Sequence, residues 1–158
     1  MDFGEGSDTW SANPLCCAAV LATLDEFEET DVLANARLSS TIIEAGLVRL
    51  KDLPFVAAVR GERGGMVWGI EMQAWGDKSA AEWAGELVLA AYRGDRSSPT
   101  CDGIHLLGPL AKKVVRISPP LIISPAEAQL AVELLYHCAA GLVRPIGIHL
   151  EHSAGVLV

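Results

Sequence analysis

Long apolar runs are missing from this sequence. A membrane-spanning helix needs roughly 18–20 apolar residues. The longest candidate, Pro14 to Leu24, is shorter and is followed at once by Asp25, Glu26, Glu28 and Glu29. The opening MDFGEGSD is acidic, so it lacks the positive segment of a secretory signal. Positive charge is scarce throughout: the formal net charge is −8 and the pI about 4.9. The closest approach to a basic patch is the Lys112–Lys113 pair, which reads as a solvated turn. Nucleic acid, which requires clustered Lys and Arg, is not an expected partner. Cysteines number only four, with Cys16 and Cys17 adjacent and Cys101 and Cys138 apart. They form no C-x-x-C pair and no metal-like spacing with histidine, and His149 and His152 have no further ligand cluster nearby. The expectation is a reduced, cytoplasmic protein without a metal.

Aromatics are also few, at 6 %, yet 51 % of the residues are hydrophobic and the mean hydropathy is +0.32. Ala, Val and Leu supply most of that apolar character, and the surplus is expected to lie against a partner or a further domain. A chain of 158 residues suits one domain with a real core.

Asn13–Pro14 marks a helix start, Asn as the cap and Pro at the first helical position. The helix runs through LCCAAVLATLDEFEE. A second begins at Thr30 or Asp31, with Val32, Ala36, Ile43, Leu47 and Leu50 at helical spacing, Gly46 weakening it slightly and Leu53–Pro54 ending it. The period then changes. Phe55 to Arg60 and Met66 to Met72 read as strands joined by the glycine-rich turn GERGG. Ser79-Ala-Ala-Glu82 is a capping box for a third helix that buries Trp83, Leu87 and Ala90. After a polar loop, Arg93 to Gly103, short strands are expected at Ile104–Leu107 and Val114–Ser118. A second capping box, Ser124-Pro125-Ala126-Glu127, opens a fourth helix with Leu130, Leu134 and Cys138 on one face. The fold class that follows is α+β, in the order α-α-β-β-α-β-β-α, with helices packed on a small, largely antiparallel sheet.

No nucleophile elbow, Walker loop, H-E-x-x-H helix or Rossmann fingerprint is present. One residue stands out. Arg116 sits inside the apolar run KKVVRISPPLIIS, where Val114, Arg116 and Ser118 point one way and Val115 and Ile117 the other. Either it snorkels to water from an edge strand, or its planar fork is placed to grip a carboxylate or phosphate in two places.

Three segments carry a resemblance. DTWSANPLCCAA at 8–19, VRGERGGMVWGIEM at 59–72 and GIHLLGPLAKKVVRISPPL at 103–121 resemble, in order, segments of the class III pyridoxal-phosphate aminotransferases of ornithine, acetylornithine and 4-aminobutyrate type. The resemblance covers roughly residues 5–142. It implies the C-terminal small domain of such an enzyme: a lead segment at 1–13 by the cofactor and dimer interface, a domain region at 14–142, and a tail at 143–158 of unknown role. It implies that Arg116 receives the substrate's α-carboxylate, that Thr9 bonds the cofactor phosphate of the other subunit, and hence a homodimer. Ala12 departs from the family's usual glycine, and Arg63 is an extra residue in the arginine loop. The family's cofactor-bearing lysine, its aspartate against the pyridine nitrogen and its phosphate loop all precede the threonine, and none of Lys51, Lys78, Lys112 and Lys113 matches that lysine. The expectation is a C-terminal portion that does not transaminate alone. The rival expectations are a non-catalytic interaction module binding a partner chain or small carboxylate, and an unrelated enzyme using His105 or Cys101.

Overall fold

The computed structural model describes residues 12–61, 64–94, 103–109 and 111–143. Thr9, Arg63, Cys101 and most of the 143–158 tail lie outside them. Within them are helices α1 (Pro14–Glu29), α2 (Val32–Val48), α3 (Ala80–Arg93) and α4 (Pro125–Gly141). The strands are β1 (Val56–Gly61), β2 (Trp68–Met72) and β3 (Val114–Ile117), and a 3-10 turn, Arg49–Asp52, extends α2. They form an α+β fold with one antiparallel sheet in the order β1-β2-β3.

The helix starts follow local chemistry. Asn13 accepts the Leu15 N–H at 3.0 Å and Asp31 that of Ala34 at 3.2 Å. Both capping boxes close as the spacing predicts, Ser79 with Glu82 and Ser124 with Glu127. Side chains alternate across the sheet, so one face carries Trp68, Ile70, Met72 and Val115, all buried beneath the helices together with Phe55 and Leu87. Phe55 precedes β1 rather than opening it and stacks on Trp83, ring centroids 4.6 Å apart. On α3, Ala91 is fully buried, whereas Ala90 is only half-buried.

Two expectations need correction. Ile104–Leu107 is not a strand: the Ile104 N–H donates to the carbonyl of Ala91 at the end of α3 (2.7 Å). Gly103 must come close for this, since a Cβ there would lie 2.5 Å from the Tyr92 carbonyl oxygen. The segment docks on a helix end instead of joining a ladder. In α4 the buried face is Ala128, Val132, Leu135 and Ala139, with Cys138 at its edge, while Leu130 is 60 % exposed. The reason is the approach of α2. A Cβ on Gly46 would lie 2.4 Å from Cβ of Val132, so Gly46 is where the two helices meet rather than merely a weak point of α2.

Helix α1 has no buried residue: Leu15 is 79 % exposed and Leu21 60 %. An apolar helix that buries nothing is where the surplus hydrophobicity of the composition resides. No helix among the described residues is long and apolar enough to cross a membrane.

Candidate substrate-carboxylate site

Register places Arg116. It faces Gly69 on β2, and Gly69 in turn faces Arg60 on β1. The next row on the same face is Ala58, Glu71 and Val114, because partners directly across a ladder share a face. The opposite face carries Val59, Ile70 and Val115, of which Ile70 and Val115 are fully buried. Arg116 therefore stands on the open face, exposed, with a side-chain-free residue beside it. Gly69 leaves the trough: a Cβ there would already approach Val114 Cγ1 to 3.2 Å. A cleft of about 560 Å³ lies over this row, bordered by Arg60, Gly69, Leu107, Val114 and Arg116. A second, mostly apolar cavity of about 310 Å³ also borders Arg116 and is lined by Ile43, Leu47, Ile117, Val132 and Leu135.

Charge on the open face is uneven. Glu71 is its only carboxylate among the described strand residues. One oxygen of Glu71 meets Lys113 Nζ at 2.8 Å and the other meets Arg60 Nη2 at 3.1 Å. The hydrogen bond from Lys113, then the charges of Lys113 and Arg60, hold the Glu71 carboxyl below the ordinary carboxylate value. Lys113 is thus an ion-pair partner and not simply part of a solvated turn. Arg116 makes no ion pair with any described residue.

The loop after Arg116 is held by polar residues of α2. The Asn35 side chain donates to the Leu121 carbonyl (2.8 Å) and the Ile123 carbonyl (3.0 Å), and the Ser39 hydroxyl donates to Ile123 (2.9 Å). The Ser40 hydroxyl donates to the Gly65 carbonyl (2.7 Å) and accepts the Gly64 N–H (3.0 Å), anchoring the glycine turn between β1 and β2. Ser39 and Ser40 are fully buried. Sequence reasoning missed all three residues. The signal was there: polar residues that lower helix propensity, set among the apolar positions of α2.

Other candidates do not converge. His105 is exposed, edge-on to Tyr92 at 5.9 Å, without a nucleophile beside it among the described residues. The described residues hold no cluster able to bind a metal, and Cys16 and Cys17 are unbridged. Lys78 pairs with Glu86 and lies over the Trp83 ring. No lysine borders either cavity beside Arg116.

Comparison with known proteins identifies the family. Residues 1–139 match the model of the family described as Aminotransferase class-III. The acetylornithine aminotransferase of Synechocystis sp. is 33 % identical over 142 residues, which cover 89 % of this chain and 30 % of that protein. The mitochondrial acetylornithine aminotransferase of Alnus glutinosa is 30 % identical over 145 residues, covering 90 % and 28 %. Among solved structures, an adenosylmethionine-8-amino-7-oxononanoate aminotransferase from Methanocaldococcus jannaschii superposes with a TM-score of 0.66 at 27 % identity, over 89 % of this chain and 32 % of that one. The ornithine aminotransferase of Toxoplasma gondii shares the fold, with a TM-score of 0.67 at 20 % identity over 90 % and 30 % of the two chains. The chain spans about 30 % of the length of its first relatives, and it belongs to the class-III aminotransferase family.

Proposed function

We propose that this chain is the C-terminal part of an aminotransferase of the ornithine, acetylornithine and 4-aminobutyrate type, with residues 14–142 as its small domain. In the complete enzyme, amino groups pass between an amino acid or amine and a 2-oxo acid. Arg116 receives the substrate's α-carboxylate there, and Thr9, in the lead segment 1–13, reaches the cofactor phosphate of the partner subunit in a homodimer. The observation that carries this reading is the guanidinium of Arg116, without an ion-pair partner among the described residues, beside the Gly69 trough. A bidentate guanidinium fixes both the position and the plane of a carboxylate, which an ammonium does not. Such positioning supplies a large share of the rate in reactions at Cα.

Pyridoxal phosphate, when bound in the complete enzyme, supplies the electron sink. The described residues offer it no covalent anchor, since no lysine borders either cavity beside Arg116. The chain alone is therefore expected not to transaminate. The exposed apolar surface of α1 also suits a second reading, an interaction module that docks a partner chain without catalysis.

The role of Arg116 is tested by arginine modification with phenylglyoxal and peptide mapping. L-Alanine is expected to slow modification of Arg116 selectively, against sodium chloride at equal concentration. Equal rates at Arg116 with and without the amino acid contradict the carboxylate role.

A further inference from the structure

We infer that Lys113, with Arg60, is a positioning residue that keeps Arg116 open to a ligand carboxylate by holding both oxygens of Glu71. The inference rests on the carboxylate-binding role of Arg116 and concerns what makes that role available. Glu71 faces Val114 while Arg116 faces Gly69, so Glu71 and Arg116 are diagonal neighbours on one face of an antiparallel pair. Diagonal positions lie about 7–8 Å apart, within reach of long side chains. Gly69, the residue between them on that face, has no side chain to separate them. Left to itself, Glu71 is the natural partner of Arg116, and the pair would close the fork.

The observed arrangement is different. Lys113 takes one oxygen of Glu71 at 2.8 Å and Arg60, across Gly69 from Arg116, takes the other at 3.1 Å. Two cations then share the one carboxylate of the described strands, which leaves the charge of Arg116 without a partner among the described residues. A ligand carboxylate meets a fork that is already open. Without Lys113 it would first have to displace Glu71, and its apparent affinity would fall by the fraction of open molecules.

The test needs no ligand. A guanidinium paired with a carboxylate reacts more slowly with phenylglyoxal than an unpaired one. Arg49, paired with Glu133, supplies the slow reference within the same sample. In the intact chain, Arg116 is expected to react faster than Arg49. Lys113→Met is expected to slow Arg116 about two- to fivefold, the population change that an exposed ion pair supports. Adding Glu71→Gln to that variant restores the fast rate, because the competing carboxylate is gone; Lys113→Arg keeps it. If Lys113→Met leaves the rate at Arg116 unchanged, or if the slow rate persists after Glu71→Gln, the inference is overturned. Failure of the carboxylate role itself would show separately, as absence of protection by L-alanine in the unsubstituted chain.

Discussion

Arg116 is available because of what its neighbours are. Gly69 contributes no side chain beside it, and Glu71 is engaged elsewhere. Another single residue carries a cost. Ala12 adopts φ of +59°, in the left-handed region, at the position where the resembling family usually has glycine. A left-handed alanine costs about 1–2 kcal/mol, part of which glycine gives back through the freedom of the unfolded chain. Ala12→Gly should therefore raise stability by roughly 0.5 kcal/mol, seen as a higher urea midpoint at unchanged slope; a lower midpoint would contradict the strain. The alternation that placed Arg116 opposite Val115 and Ile117 was legible in the sequence, because β3 turns Val115, fully buried, and Ile117, half-buried, toward the core and leaves Arg116 exposed. The roles of Asn35, Ser39 and Ser40 were not, since their partners lie in loops 24 to 88 residues away.

At the scale of elements, what was legible was local. Caps, prolines at first helical positions and capping boxes act within four residues, and all of them closed as expected. What was not legible depended on a second element. Helix α4 is apolar on more than one side, so Leu130, Leu134 and Cys138 formed as plausible a stripe as Ala128, Val132, Leu135 and Ala139. Gly46 decides between them by letting α2 approach Val132. Likewise Ile104–Leu107 is extended enough to read as a strand, but its first N–H goes to the end of α3. Gly46→Ala tests the helix contact. Helix propensity alone would favour alanine by about 0.5–1 kcal/mol, while overpacking costs about 1–3 kcal/mol. The expected outcome is a net loss of roughly 1 kcal/mol in chemical denaturation, turning neutral or stabilising in a Val132→Ala background. Equal effects of Gly46→Ala in both backgrounds would show that the two residues do not touch.

At the scale of the whole molecule, acid is the sensitive side. Glu71, Glu82, Glu127 and Glu133 all titrate below the ordinary carboxylate value of 4.5, each held there first by a hydrogen bond, from Lys113, Ser79, Ser124 and Arg49 respectively. A carboxyl group whose pKa is depressed by folding contributes stability above its unfolded value and loses it as pH falls through the folded one. Stability should then be flat from these groups between about pH 5 and 8 and decline below about 4.5. A urea midpoint that rises on acidification through that range would contradict the assignments. The exposed helix α1 and the 30 % span of the relatives fit the account proposed above, that this chain supplies substrate contacts to a larger enzyme. The most direct test of that account is to incubate the purified chain with pyridoxal phosphate, reduce with borohydride and map the modified lysines by mass spectrometry. The account predicts weak labelling scattered over Lys51, Lys78, Lys112 and Lys113. Stoichiometric labelling of one of these lysines would mean that the chain carries its own cofactor anchor, and would contradict it.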